Sequence, residues 1–333
     1  MPEASDTITL HLGETPLPVV SWATASPYLA DGRQWAWDSS SLGPAKDCAR
    51  KYYYQQILGY RQKGENVHLI FGGFYAKALE TYHKLRAEPN GLSHRDALYN
   101  VVSQTLKASW DYDLDRPMLD SAELRDLPGA ARYKTRENLI RSIVWYLDQF
   151  GENDPCKTVH LADDTPAVEL SFRFQLTEEI WLCGHLDRLV QYGDGIYVQD
   201  QKTTGSTLGG YYFKRYNPDN QMSLYSIAAD VVWKTPVKGV MIDAAQIAVG
   251  FTRFERGFTF RTPEQSAEWL HDAEYHIKMI WRAAEEGWPM NDSACQKYGG
   301  CPFLDVCSKS PQVRKDFLTS GYEKRIWNPL EVR

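Results

Sequence analysis

No run of 18 or more consecutive apolar residues occurs in the 333-residue chain, so no membrane-spanning helix is expected. Positive charge is also in deficit: 37 Lys and Arg stand against 43 Asp and Glu, a formal net charge of −6. A protein that coats nucleic acid passively usually carries a basic surface, and the deficit argues against that class. An enzyme whose local basic track and bound cations supply the positive field is not. Six cysteines are too few to staple a chain of this length, so a disulfide scaffold is excluded and a reducing, cytoplasmic compartment is expected. The opening MPEASDTITLHLGETPLP has neither the basic nor the apolar region of a secretory signal. Internal repeats, low-complexity tracts and a G-x-x-x-x-G-K-[ST] run are missing too, so any strand unwinding would need a partner.

What is abundant is aromatic: 11 Trp, 20 Tyr and 12 Phe make up 13% of the chain, enough for a well-filled core with some rings left as stacking surfaces. The length suffices for a sizeable core. A single domain over 1–333 is expected, with a helical elaboration at 43–150, an αβ core at 165–262, and a long helix with a cysteine loop at 263–310. Four helices are predicted in the elaboration. SSSLGPAKDCARKYYYQQILGYR is capped by Ser40 or Ser41, NVHLIFGGFYAKALETYHKL by Asn66. HRDALYNVVSQTLKASWDYD and TRENLIRSIVWYLDQF follow. AVELSFRFQL, IWLCGHLDRLVQY and GIYVQDQKTT then read as strands, the last two joined at a GDG hairpin turn. A helix with Asn217 as cap and Pro218 in its first turn comes next, followed by strands VKGVMIDAAQIAVG and ERGFTFRT. A long helix runs from a Thr262 cap to Gly287. The fold class is therefore α/β, a mixed sheet flanked by helices.

The stretch GHLDRLVQYGDGIYVQDQKTT puts Asp187 on one hairpin arm and Asp200 and Lys202 on the other. Strand alternation sends Asp200 and Lys202 to one face. Two carboxylates suit Mg²⁺ or Mn²⁺, and the lysine can hold an attacking water or steady charge on a phosphoryl group. A solvated hairpin explains either aspartate alone. The full Asp-x₁₂-Asp-x-Lys pattern, with a strand before it and a helix after it, points to phosphodiester hydrolysis.

These residues resemble the PD-(D/E)XK nuclease superfamily in its RecB-nuclease branch, which includes CRISPR-associated iron–sulfur exonucleases and many phage exonucleases. The resemblance implies a restriction-endonuclease-like core and a metal-dependent DNA nuclease, an exonuclease in recombination, repair or phage DNA processing. The implied substrate is single-stranded or free-ended DNA, with a helicase or recombination protein as possible partner and a bacterial host cytoplasm if the chain is phage-encoded. By the same resemblance Asp187 fills the acidic motif, Asp200, Gln201 and Lys202 fill D-x-K with the Gln201 carbonyl as a further metal ligand, and Gln221 and Tyr225 fill a helical Q-x-x-x-Y. That last pair falls one turn apart on one helix face. The pattern departs at GGFYAKALE, where Ala76 stands in place of the family's histidine. Glu169 in the first core strand is the favoured replacement ligand; Glu80 is better read as a solvated helix residue. The missing histidine motivates an alternative, a non-cleaving nuclease-fold module that binds DNA or a partner protein.

CQKYGGCPFLDVC places Cys295, Cys301 and Cys307 with five residues between neighbours, and Cys48 lies 247 residues upstream of the first. Three thiols in 13 residues are poor core filling. The resemblance implies that these four hold a [4Fe–4S] cluster, with a Cys₄ zinc site as alternative. Cys156 and Cys183 read as plain residues. YYFKRYN interleaves rings and cations just past the D-x-K strand, so Tyr211, Tyr212, Lys214 and Arg215, with Arg188, are candidates for nucleic-acid contact. ARYKTRE is a further basic patch, equally readable as a solvated helix start.

Overall fold

A computed structural model describes residues 26–29, 31–64, 66–87, 91–297 and 300–331; the stretch read for a secretory signal and most of the irregular opening segment lie outside them. The chain forms two compact units. One comprises Met1–Gly64, Ser171–Gly184 and Arg261–Arg333, the other Glu65–Leu170 and His185–Phe260. The helical stretch at 43–150 thus begins in the first unit and continues in the second.

The second unit is built on strands β1 (Val168–Gln175), β2 (Trp181–Tyr192), β3 (Gly195–Thr204), β4 (Gly239–Ile247) and β5 (Thr252–Thr259); β1 starts in it and runs on into the first unit, and β2 starts in the first unit and runs into the second. The order is β2-β3-β4-β5, with β1 pairing β2. β2/β3 and β4/β5 are antiparallel, while β3/β4 is parallel, so the sheet is mixed. A parallel step needs a crossover, and the helix Asn220–Trp233 supplies it. β4 reads GVMIDAAQI and is buried at all nine positions, as expected of a strand with neighbours on both sides and both faces covered.

Three further helices, α1 (Val67–Ala87), α2 (His94–Ala108) and α3 (Arg136–Phe150), share one apolar core with β4. Phe71, Tyr75 and Leu79 recur every four residues along α1, and Leu139, Ile143 and Leu147 do the same along α3, giving each helix one buried stripe. Asn66 accepts from His68 N at 2.9 Å, the cap expected of it. The crossover helix, α4, starts later than Asn217. Its cap is Asp219, whose carboxylate accepts from Met222 N at 3.0 Å, an interaction that the Asn217 amide two residues earlier is not placed to make.

In the first unit, helix Ser39–Asp47 is capped by Asp38 and not by Ser40 or Ser41. The Asp38 carboxylate takes both the Ser41 amide (2.8 Å) and the Ser41 hydroxyl (2.6 Å). The predicted single helix also breaks. Cys48 is extended (φ −165°, ψ 122°), Ala49–Tyr52 resumes the helix, and Tyr53–Ile57 widens into a π turn. Helix Pro263–Glu286 has the predicted ends, with a Thr262/Gln265 capping box and Gly287 at φ 102°. Two short pairings escape sequence periodicity: Ala36–Trp37 parallel to Trp181–Leu182, and Tyr322–Lys324 antiparallel to Tyr60–Gln62. Among the described residues no helix is long and apolar enough to cross a membrane. The architecture is mixed α/β, a central mixed sheet flanked by helices.

Candidate active site

Hairpin geometry brings the two aspartates together. β2 and β3 pair from Tyr192↔Gly195 to Arg188↔Gln199, around a tight turn in which Gly193 takes φ 57°. The next position in that register sets Asp187 opposite Asp200, on one face of the sheet. Asp187 Oδ2 accepts from the Gln201 amide at 2.7 Å, which ties the two strands at the site itself. Asp200 is 1% exposed, and its Oδ2 lies 2.6 Å from Lys202 Nζ. Lys202 Nζ also donates to Gln221 Oε1 at 2.8 Å, and Gln221 Nε2 donates to Tyr225 OH at 2.9 Å. Gln221 and Tyr225 sit on α4, one turn apart, so the crossover helix delivers both to the D-x-K strand.

Charge accumulates at this point. Burial, reinforced by Asp187 and Asp219 and offset in part by Lys202, pushes the Asp200 carboxyl up to about 7. Burial works against the Lys202 charge, but Asp200, Asp187 and Asp219 outweigh it and hold the ammonium above the usual lysine range. Asp219 was not anticipated here. Its role as helix cap is what places a third carboxylate beside the pair, and only its position in NPDN could have signalled it.

The residues suit a divalent cation. Asp200 Oδ2 is buried with the Lys202 ammonium 2.6 Å away, and a further positive charge would relieve the carboxylates crowded around it. Two carboxylates are a sparse set. Among the described residues no three His, Cys, Asp or Glu side chains are arranged to hold a metal, so carbonyl and water ligands would complete the shell.

Comparison with protein families matches residues 39–308 to the PD-(D/E)XK nuclease superfamily. The chain belongs to the PD-(D/E)XK nuclease superfamily. No curated protein matches it. Among solved structures, the chain is similar to a "Putative exonuclease" from Eubacterium rectale, at 10% identity over 82% of this chain and 89% of that one, with a TM-score of 0.45. It is also similar to SSO0001, at 14% identity over 72% of this chain and 96% of that one, with a TM-score of 0.30.

Several expected contacts of this nuclease-family chain lie elsewhere. Arg188 alternates with Asp187 and so enters the opposite face, where it is 3% exposed. It reaches the His83 ring at 2.7 Å and donates to the Cys156 carbonyl at 2.6 Å, and it is not available to phosphate. His83 can accept because burial, then Arg188 and Arg256, hold it well below the usual histidine range, in its neutral form. The same face carries Asp243, which accepts from Gln199 (2.6 Å), Tyr146 (2.5 Å) and Arg256 (3.1 Å), and Asp154, 2.6 Å from Arg256. Sequence reading missed this buried network, because its members come from seven separate segments.

Tyr212 is likewise buried, its hydroxyl 3.0 Å from that of Tyr216, and is no stacking surface. Tyr211 is 90% exposed, with Lys214 and Arg215 exposed at i+3 and i+4. The short helix Gly210–Lys214 that carries Tyr211 is pinned by Phe213, which packs where any Cβ on Gly257 would collide. Lys134 of the ARYKTRE patch is fully buried, its ammonium 4.4 Å from the Phe71 ring centroid and its pKa lowered by burial to about 7. Glu80 is taken by Lys77 (2.7 Å) and Lys84 (2.8 Å). Glu169 stands at the second position of β1 with φ 52°.

The four cysteines all belong to the first unit. Cys48, at the helix break, accepts from Asn291 N at 3.3 Å, and Cys301 N donates to the Cys295 carbonyl at 3.1 Å. Burial, then the neighbouring Cys301 and Cys48, raise the Cys295 thiol; burial raises Cys307, with Cys301 adding to it. The thiols thus act on one another electrostatically, while among the described residues no three or more are arranged to hold a metal. Cys156 and Cys183 are buried elsewhere.

Proposed function

We propose that this chain is a divalent-metal-dependent DNase, an exonuclease acting on free-ended or single-stranded DNA in recombination, repair or phage DNA processing. The observation that carries the reading is the linked set Asp187, Asp200, Lys202, Gln221 and Tyr225 on one sheet face and one helix. Asp187, Asp200 and the Gln201 carbonyl would hold Mg²⁺ or Mn²⁺, with Glu169 as a further ligand. Such an ion, when bound, lowers the pKa of water and polarises a phosphoryl oxygen. Lys202 has three N–H donors. Two are engaged by Asp200 and Gln221, leaving the third for the attacking water or the phosphate that gains charge. Gln221, steadied by Tyr225, fixes the direction in which the ammonium points. Tyr211, Lys214 and Arg215 would form the nearby substrate track, one ring for a base and two cations for phosphates.

In the other unit Cys48, Cys295, Cys301 and Cys307 would hold a [4Fe–4S] cluster, or zinc in its place. Their donor chemistry and neighbouring positions support this. The chain would work in the cytoplasm, and a helicase or recombination partner would supply any unwinding. Cleavage of free-ended against end-blocked linear DNA, with Mg²⁺ or Mn²⁺ added, tests the reading. Products only from the free-ended substrate are expected. Equal cutting of both would make the enzyme an endonuclease, and no cutting of either would favour the non-cleaving module suggested by Ala76.

A further inference from the structure

The first unit carries an open groove of about 600 Å³ whose lining includes Lys63, Lys309, Phe317 and Tyr322. Its walls are firm. Tyr322 lies 5.3 Å from Phe303, ring on ring, its hydroxyl donates to the Pro302 carbonyl at 2.5 Å, and Val306 beside it is 1% exposed. Phe317 is different. It is 42% exposed at the rim, with the Lys309 ammonium 5.3 Å from its ring centroid. Lys63 lines the same groove and donates to the Ser320 carbonyl at 2.5 Å. Among the described residues Asp305 is the single carboxylate in the lining. The chain as a whole is acidic, yet residues 297–325 carry six Lys and Arg against three Asp and Glu.

A half-exposed aromatic ring with one lysine beside it and a second lining the same trough, within a locally basic segment, matches one base of a nucleic-acid single strand and the phosphates on its two sides. We propose that this groove is a second nucleic-acid site, in which Phe317 stacks on a base and Lys63 and Lys309 meet the adjoining phosphates. It rests on the nuclease reading for its ligand class but involves none of the residues assigned to cleavage. An acidic peptide would be drawn to the same two charges but would make little use of the ring.

The test uses the full chain in EDTA and a fluorescent 20-nucleotide oligodeoxythymidine, with binding followed by anisotropy over a range of salt. K63E/K309E should weaken binding at least tenfold and flatten the salt dependence by more than one unit of slope, about 0.7 for each phosphate no longer neutralised. F317A should weaken binding roughly tenfold with the salt slope unchanged, since stacking and not charge is removed. The pair K278E/R282E makes the same change in net charge on helix Pro263–Glu286 and should leave binding within twofold. The proposal is overturned if K63E/K309E binds like the parent, if K278E/R282E weakens binding as much, or if F317A is silent while a polyglutamate peptide competes as well as DNA. Melting temperatures of the variants exclude unfolding, because the altered side chains are at the surface. Groove-dependent binding by a chain that never cleaves would leave this site standing and remove the catalytic reading. Cleavage with groove-independent binding would do the reverse.

Discussion

Replacing Asp200 by asparagine isolates the electrostatic state of the site. In the folded chain the carboxyl is pushed to about 7 by burial and by Asp187 and Asp219, against roughly 3.9 in an unfolded chain. A raised carboxyl pKa means that the folded state holds the proton more tightly than the unfolded state. The contribution to stability is therefore fully present below about pH 4 and is lost as pH rises towards 7. Three units at about 1.4 kcal/mol each set an upper figure of about 4 kcal/mol lost across that window in the absence of metal. Asp200→Asn removes the titrating group and keeps its shape. Calorimetric melting of both proteins in EDTA from pH 4 to pH 8 should show the wild type falling relative to D200N by up to that amount, with other titrating groups cancelling in the difference. Mn²⁺ at pH 8 should raise the wild-type transition and leave D200N nearly unmoved. Parallel pH profiles for the two proteins would refute the crowded-carboxylate picture, whatever the cleavage assays report.

Lys202→Ala should reduce cleavage of labelled linear DNA at least a hundredfold while anisotropy shows binding of the same DNA within a few fold. Gln221→Leu removes the hydrogen bond that aims Lys202, together with the one to Tyr225 that steadies it, so a loss nearer tenfold in kcat is expected, from about 1–1.5 kcal/mol for the Lys202 contact. Arg256→Met strips the partner from Asp154 and Asp243 in the buried network and should destabilise the second unit by about 3–5 kcal/mol, read as a lowered melting temperature. Lys134→Met replaces a buried amine whose Nζ has no hydrogen bond and should stabilise by about 1–4 kcal/mol at pH 7. That gain should shrink as pH rises from 7 towards about 10, where the unfolded-state amine loses its proton too.

The parts of the site that lie within one or two adjacent elements were legible in advance. Period-two alternation placed Asp200 with Lys202, and the GDG turn set the register that brings Asp187 opposite Asp200. Period 3.6 placed Gln221 above Tyr225. What escaped depends on segments far apart in the chain. Nothing local to Arg188 says that it meets a histidine 105 residues away, and nothing local to Lys134 says that it is buried over Phe71. The same limit hid the helix break at Cys48, because the residues around it keep a helical apolar spacing while the backbone at Cys48 turns extended. Tyr212 shows a smaller failure: a run of rings and cations looks like one surface, but on a helix adjacent residues diverge, and of its rings Tyr211 is the one left exposed, beside Lys214 and Arg215.

The most direct measurement is the cleavage of 5′-labelled linear DNA by wild type, D187A and D200A in Mg²⁺, in Mn²⁺ and in EDTA. Wild type should release labelled products with either ion and none in EDTA, and both variants should be inactive throughout. Product formed in EDTA, or undiminished cutting by either aspartate variant, would contradict a shared cation held between the two strands.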